Sequence, residues 1–217
     1  MRMSPVRMIC ILGLLAVALM LCAGCTQPAP SGGTPQATAV SAAVPAPATT
    51  MPIINATPAL SGKKVQLETT MGNITIALDP AMPITAGNFE TLVNKGFYDG
   101  TIFHRVISGF MIQGGDPTGT GMGGPGYTIQ DEATNETNSV GAVSMANTGQ
   151  PNSGGSQFFI NLVNNSALQP GFDSHYPVFG NVVEGMDVVD AIGNATTSGL
   201  PYNRPLQNIT IVRAVMV

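Results

Sequence analysis

The chain has 217 residues, enough for one domain with a proper hydrophobic core and a tail of different character. Charged residues make up 9% of it, against roughly a quarter in an ordinary soluble protein. The formal net charge is −4, and no cluster of basic residues indicates a nucleic-acid patch. We therefore expect no nucleic-acid partner.

The first residues have the pattern of an export signal. Arg2 and Arg7 form a positive start, an apolar run follows at 9–23, and small residues precede Cys25. The run is shorter than the roughly 20 residues that a membrane-spanning helix needs. The segment that ends at Cys25 resembles the lipobox of prokaryotic lipoproteins, although Cys22 stands where leucine is usual.

This resemblance implies a signal peptide at 1–24 and a lipid on Cys25 that anchors the protein to the cell membrane. An uncleaved anchor and simple secretion are the alternatives, and all three readings predict an extracytoplasmic domain. The three cysteines are Cys10, Cys22 and Cys25. The rest of the chain therefore has no disulfide, thiolate nucleophile or zinc-thiolate site.

A segment without charge follows at 25–62, rich in proline, alanine and threonine. Such a composition buries too little apolar surface to offset the entropy of ordering, and its prolines favour extended conformations. We interpret the segment as a stalk; a recognition peptide is the alternative. The folded domain is then expected at 63–217.

The domain begins with a predicted hairpin. Hydrophobic alternation with period two runs through 65–69 and 74–78, and a turn that includes Gly72 lies between them. Pro83 then suits the first turn of a helix, whose apolar face continues to a stop at Gly96.

Short apolar runs separated by glycine-rich turns follow, and a second helix is predicted at 186–192. The runs lie at 101–107, 110–113, 140–145, 158–163, 178–183 and 208–217. About eight strands with two helices predict a mainly β fold, a closed antiparallel barrel capped by the helices. Periodicity alone does not distinguish such a barrel from a sandwich.

Three strings, in this order, carry the functional information. They are FHRVISGFMIQGGD at 103–116, SMAN at 144–147 and GSQFFI at 155–160. Together with GFYDGT at 96–101 and PVFGNVV at 177–183, they resemble the signature of the cyclophilins, a family of peptidyl-prolyl cis-trans isomerases. The resemblance runs from about Val65 to the end of the chain.

The resemblance implies a closed eight-stranded antiparallel β-barrel with an α-helix at each end and a substrate groove on its outer surface. It assigns the catalytic position to Arg105. It assigns substrate binding to Phe110, Met111, Gln113, Ala146, Asn147, Phe159, Leu168 and Tyr176.

The chemistry of prolyl isomerisation calls for these residue types. Amide resonance sets a barrier of about 18–20 kcal/mol, and uncatalysed exchange takes about 10–100 s. A guanidinium near the prolyl nitrogen binds the twisted amide better than either planar form, because the nitrogen lone pair becomes available only as the bond twists. An apolar slot holds the ring. We expect no cofactor and no metal.

Other polar residues have simpler interpretations. His104 adjoins Arg105 on a strand and faces the other way, which favours a structural role. His175 has no cysteine or carboxylate at metal-ligand spacing, and residues 114–126 lack the pattern of a phosphate-binding loop. Adjacent Phe158 and Phe159 point to opposite faces, so that one fills the core and the other the groove.

The chain departs from the pattern of many eukaryotic cyclophilins at two places. A tryptophan often precedes the leucine that we match to Leu168, and here that place is Ala167. A histidine common at the far end of the groove is replaced by Tyr176. The match between 163 and 176 is the weakest part of the resemblance.

The sequence thus predicts a monomeric isomerase that acts on X-Pro bonds and assists the folding of extracytoplasmic proteins. Its expected partners are proline-containing polypeptides, unfolded or folding. The alternative is a non-catalytic peptide-binding chaperone module with the same groove. Arg105 favours the enzyme, because binding alone needs no guanidinium.

Overall fold

The computed structural model describes residues 62–217, which form eight strands and four helices. The predicted signal peptide, Cys25 and nearly all of the stalk lie outside these residues. The strands are β1 Lys64–Thr69, β2 Gly72–Leu78, β3 Arg105–Ile107, β4 Met111–Gly114, β5 Ala142–Met145, β6 Phe158–Asn161, β7 Val178–Glu184 and β8 Ile211–Met216. The helices are α1 Thr85–Asn94, α2 Asn165–Leu168, α3 Phe172–His175 and α4 Met186–Gly193.

All eight strands belong to one antiparallel sheet in the order β3-β4-β6-β5-β7-β2-β1-β8. The predicted hairpin is confirmed as β1 and β2, with Leu67 opposite Ile74. The six later runs also contain strands; four of these strands are shorter than their runs, β4 has the length of its run shifted by one residue, and β7 is one residue longer. The hydrophobic pattern therefore predicted where the strands lie better than where they end.

The expectation of a closed barrel is wrong. Within residues 62–217 the sheet is a curled half-barrel whose edge strands, β3 and β8, do not form a ladder with each other. The segments before them meet through a single antiparallel bridge between Ile102 and Thr210. The physical reason is strand length, since β3 has only three residues and β8 begins after the bridge.

A cluster of aromatic rings fills the main core. The ring of Phe89, on α1, lies 4.9 Å from that of Tyr98, 5.3 Å from Phe158 and 5.1 Å from Phe179, measured between centroids. Such pairs contribute about 0.5–1.5 kcal/mol each beyond the burial of their surface. The Tyr98 hydroxyl donates to the carbonyl of Ser156 at 3.1 Å, so that this fully buried polar group has a partner.

The two predicted helices are confirmed as α1, which contacts β7 and β8, and α4, which contacts β2, β3 and β4. Two helices of one turn, α2 and α3, were not predicted. Four residues are too few to show a helical period. Among the described residues, no helix has the length and apolarity needed to cross a membrane.

The start of α1 depends on a carboxylate from a distant loop. Ile84 precedes the helix and offers no side-chain cap. Glu132 accepts hydrogen bonds from the backbone N–H groups of Ile84, at 3.1 Å, and Thr85, at 2.8 Å. A helix N-terminus leaves such donors without partners, and a negative charge there is favourable.

We expect Glu132→Ala to destabilise the fold, because the N–H of buried Thr85 loses its acceptor. Loss of a helix cap costs about 1 kcal/mol, which corresponds to a fall in Tm of about 2–4 °C. Thermal denaturation of the purified protein measures it. Glu136→Ala, in the same loop, is the control and should have the Tm of the wild type. Equal Tm values for the two variants would contradict the capping role of Glu132.

Candidate active site

A cavity of about 760 Å³ lies on the side of β3, β4 and β6 that faces away from the main core. It is lined by strand residues, by the loop after β4, by α3, and by the loop between α4 and β8. Its lining consists of His104, Arg105, Phe110, Met111, Gln113, Gly119, Thr120, Gly121, Ala146, Asn147, Phe159, Gln169, Phe172, Tyr176, Ser198, Pro201, Tyr202 and Arg204.

The register of the sheet creates the floor of this cavity. Arg105 of β3 lies opposite Gln113 of β4, which lies opposite Phe159 of β6. Side chains alternate along a strand, so these three share one face and their neighbours share the other. Their neighbours are buried in the main core, and they include Val106, Ile112, Phe158 and Ile160.

Five residues form what we call the apolar wall of the cavity. Met111, Phe159 and Phe172 form its buried centre, and Phe110 and Tyr176 pack against them. The Phe172 ring centroid lies 6.0 Å from that of Phe110, 6.0 Å from that of Phe159 and 4.7 Å from that of Tyr176. This wall has the size and character to receive a proline ring.

The structure does not place Leu168 in this wall. Leu168 ends α2, 65% of its surface is exposed, and it is not among the residues that line the cavity. Phe172, four residues later, is only 7% exposed and packs on Met111 and Phe159. The structure therefore places Phe172, and not Leu168, beside Met111 and Phe159; neighbouring Ala167 is also exposed and outside the cavity.

A partly buried hydrogen-bond network holds Phe172 in place. The carboxylate of the next residue, Asp173, accepts from the Ser166 hydroxyl at 2.6 Å and from both the backbone and side-chain N–H groups of Asn138 at 2.8 Å. Burial raises the pKa of Asp173, and these hydrogen bonds outweigh it and lower the pKa below its usual value. Asn138 is itself fully buried and accepts from Ser144 of β5 at 2.6 Å, which ties α3 to the sheet.

A chain of side-chain hydrogen bonds orients Arg105. The Arg105 guanidinium donates to Gln113 Oε1 at 3.2 Å, and Gln113 Nε2 donates to Gln157 Oε1 at 3.0 Å. Gln157 Nε2 donates in turn to the carbonyls of Gly121, at 3.0 Å, and Gly123, at 2.9 Å. A guanidinium restrained in this way loses less freedom when it binds a substrate.

The loop at the end of that chain is organised by a buried carboxylate. Asp116 accepts from the backbone N–H groups of Thr118, Thr120, Gly121 and Gly123, at 2.6–3.1 Å. Burial raises the pKa of Asp116, but these hydrogen bonds outweigh it and hold the pKa far below its usual range. A Cβ at Gly123 would collide with this carboxylate, so glycine is required there.

His104 is buried and lines the cavity beside Gly121. Neither ring nitrogen has a hydrogen-bond partner within the described part of the chain. Burial lowers the pKa of His104; Asp116 raises it, and Arg105 and Arg204 lower it further. We interpret His104 as a neutral packing residue.

Ala146 and Asn147, just after β5, form the opposite rim. The Asn147 side chain donates to the carbonyl of His175 at 2.6 Å and accepts from the N–H of Gly149 at 2.9 Å. No residue in 62–217 accepts a hydrogen bond from the Asn147 backbone N–H. This N–H is therefore available to an extended peptide in the cavity.

Sequence reasoning missed several residues of the lining. Phe172 was missed, although its spacing of four from Tyr176 is typical of residues on one helical face. Ser198, Pro201, Tyr202 and Arg204 belong to a loop with no recognisable motif, and only the folded chain brings them here. Within residues 62–217, no three His, Cys, Asp or Glu side chains come together as metal ligands.

A known protein family matches nearly all of the described residues. The family described as "Cyclophilin type peptidyl-prolyl cis-trans isomerase/CLD" matches residues 64–216. The chain belongs to the cyclophilin family.

Two similar proteins are named as peptidyl-prolyl cis-trans isomerases. A peptidyl-prolyl cis-trans isomerase of Acinetobacter baylyi is 46% identical over 160 residues, which is 71% of this chain and 85% of that protein. Peptidyl-prolyl cis-trans isomerase-like 1 of Neurospora crassa is 45% identical over 159 residues, 70% of this chain and 93% of that protein. This cyclophilin is therefore a peptidyl-prolyl cis-trans isomerase, as the sequence predicted.

The fold agrees as well. A cyclophilin-type isomerase of Cryptosporidium parvum matches with a TM-score of 0.66 and 34% identity, and it covers 71% of this chain and 97% of its own. A second structure of the same protein, in the presence of the dipeptide Ala-Pro, matches with a TM-score of 0.65.

The position of Phe172 leads to a test of the wall. We expect Phe172→Ala to lower kcat/KM for X-Pro peptides about tenfold or more, because the ring supplies apolar contact that alanine lacks. Leu168→Ala, the matched change at the exposed position, should leave kcat/KM within about twofold. A protease-coupled isomerase assay measures both, with Tm and near-UV circular dichroism as folding controls. A larger loss in Leu168→Ala would show that the wall is misassigned.

Proposed function

We propose that this cyclophilin twists X-Pro bonds in the cavity described above, with Arg105 as the catalytic group. The observation that carries the proposal is the position of Arg105, fixed by Gln113 on the same face as Phe159 and beside the apolar wall. A proline ring against that wall brings its amide nitrogen within reach of a guanidinium that is already oriented.

The proposed mechanism is selective binding of the transition state. In the planar amide the nitrogen lone pair is delocalised and cannot accept a hydrogen bond; at a twist of about 90° it is localised and can accept one. A donor that interacts only with the twisted form lowers the barrier, whereas uniform binding would not. No covalent bond is made or broken, and no proton has to move.

The remaining residues have supporting roles in this proposal. Phe110, Met111, Phe159 and Phe172 hold the ring and exclude water, which strengthens the hydrogen bond from Arg105. The backbone N–H of Asn147, next to Ala146, binds the peptide on one side of the proline. Gln113 acts mainly as a positioning residue, since both ends of its amide are engaged by Arg105 and Gln157.

Substitution of Arg105 tests the mechanism. We expect Arg105→Ala to keep Tm within a few degrees and to lose about 10²-fold or more in kcat/KM, comparable to removal of one oxyanion-stabilising donor. Arg105→Lys should recover only part of the activity, because an ammonium lacks the planar fork that Gln113 orients.

The matched control is Arg213→Ala, which removes the same charge from an exposed position on β8, outside the cavity. Its kcat/KM should equal that of the wild type. Full activity in a folded Arg105→Ala would refute the role of Arg105. Peptide binding without isomerase activity in the wild type itself would favour the non-catalytic peptide-binding groove.

We further propose that the isomerase acts outside the cytoplasm, on polypeptides that fold there. The domain would extend over 63–217, behind a signal peptide at 1–24 and a lipidated Cys25 with a stalk at 25–62. The support is the pattern of the leader and the charge-free composition behind it. A stalk of this composition would let the cavity reach clients away from the membrane.

Cys25→Ser tests the anchor in a bacterium that processes lipoproteins. We expect the wild-type protein in the membrane fraction, with an intact mass that shows cleavage before Cys25 and added lipid. The serine variant should be found as unprocessed precursor or as released protein, since the acylated thiol is lost. Cys22→Ser, three residues earlier, is the control and should still be lipidated. Identical fractionation and mass in wild type and Cys25→Ser would exclude lipid at this cysteine.

A further inference from the structure

The charge of the cavity is opposite to that of the domain around it. Residues 62–217 contain six Lys and Arg, since Arg2 and Arg7 of the eight lie in the leader, against all twelve Asp and Glu. The described arginines are Arg105, Arg204 and Arg213, and the first two line one cavity whose lining includes no carboxylate. An acidic domain thus concentrates two of its few guanidinium groups where its substrate binds.

Arg204 lies next to Arg105 because a loop runs along the outer edge of β3. The backbone N–H of Val106 donates to the carbonyl of Asn203 at 2.9 Å. Arg204 Nη1 donates to the carbonyl of Gly119 at 2.8 Å, which leaves its other N–H groups toward solvent and the cavity. The rings of Pro201 and Tyr202 line the cavity beside it.

Neither guanidinium has a counterion in this part of the chain. Among residues 62–217, the one pair of oppositely charged side chains within 4.0 Å is Lys63 and Glu90, and neither residue lines the cavity. Asp116 is the acidic residue whose charge acts on His104, but it is fully buried and its two oxygens accept hydrogen bonds from the loop after β4. Arg204 therefore has no ion-pair partner among residues 62–217.

The site also has two distinct ends. Asn147 follows β5 and Arg204 lies outside β3, and β4 and β6 separate these strands. Strands lie about 4.8 Å apart and an extended chain rises about 3.3 Å per residue, so the four spacings from β5 to the loop outside β3 correspond to about six residues. The apolar wall lies between these two ends, and the Arg204 side chain lines the same cavity. A peptide held at Asn147 with its proline against the wall therefore reaches Arg204 within about two residues of the proline.

We propose that Arg204, with the ring of Tyr202 beside it, forms a subsite that selects an acidic side chain in the peptide arm that leaves the prolyl slot past Arg105. This inference rests on the proposed placement of the substrate proline. Arg204 would be a specificity residue: it pairs with a carboxylate one or two residues from the proline, and takes no part in twisting the bond.

The test compares peptides that differ only in charge. Chromogenic X-Pro peptides carry Asp or Asn at the position after the proline, and a second pair carries Asp or Asn at the position before X. For the wild type we expect kcat/KM to favour Asp over Asn in one of the two pairs by about two- to fivefold, the range of a solvent-exposed ion pair. The preference should appear as a lower KM for the Asp peptide, with kcat unchanged. It should become smaller as the salt concentration is raised from about 0.02 to 0.5 M.

Three variants separate a subsite from a merely structural arginine. In Arg204→Gln the Asp/Asn ratio should fall to about one, and in Arg204→Lys it should be kept in part, because a cation remains. Arg213→Gln removes the same charge outside the cavity and should keep the wild-type ratio. Tyr202→Ala should lower kcat/KM for both peptides of the favoured pair.

The possible results are distinct. A wild-type ratio of one in both pairs overturns the inference. The inference is also overturned if Arg204→Gln lowers kcat/KM by the same factor for the Asp and Asn peptides. That result would indicate that Arg204 only tethers Gly119. An equal fall of the ratio in Arg213→Gln would assign the preference to net charge. A failure of the catalytic role proposed for Arg105 would give a different result: the Arg105→Ala variant would turn over the Asn peptides at the wild-type rate.

Discussion

Strict alternation of side chains along β3, β4 and β6 is the constraint on which the site depends. Because successive residues point to opposite faces, the strands that bury Val106, Ile112 and Phe158 must present their neighbours on the other side. A shift of register by one residue would exchange the two sets, placing a guanidinium in the aromatic core. The stability of the core therefore fixes the geometry of the active site.

Polar groups then make the outer face rigid. Asp116 holds the loop after β4, that loop accepts from Gln157, and Gln157 and Gln113 restrain Arg105. Asp116, Gln157 and Gln113 all have hydrogen-bond partners, so this series of contacts avoids the penalty of about 1–3 kcal/mol for an unsatisfied buried group. The same bonds that make the loop stable restrain the guanidinium in the cavity that the apolar wall lines, where preorganisation is worth most.

The reaction explains why so modest a site is sufficient. Rotation about a prolyl bond requires no nucleophile, and its barrier arises from resonance that a single well-placed donor can oppose. If the proposed subsite is correct, the two arginines of the cavity would add selectivity to this, because the cavity lining has no carboxylate although the chain as a whole is acidic. Catalysis and substrate preference would then come from two neighbouring arginines with separate tasks.

The sequence by itself determined where the strands and the two longer helices lie, and it named eight residues of the cavity lining. Hydrophobic alternation predicted the strands, and the strings around Arg105, Asn147 and Phe159 identified the family, because these residues are close in sequence to the strands that carry them. Tertiary structure decided the rest. Loop and short-helix positions depend on distant contacts, so Phe172 rather than Leu168 enters the wall, where Asp173 anchors its turn to the sheet. The position of Arg204 in the cavity and the open half-barrel both depend on how the chain before β8 pairs with β3 and the residues before it. This pairing joins residues that are distant in sequence, so no local pattern encodes it.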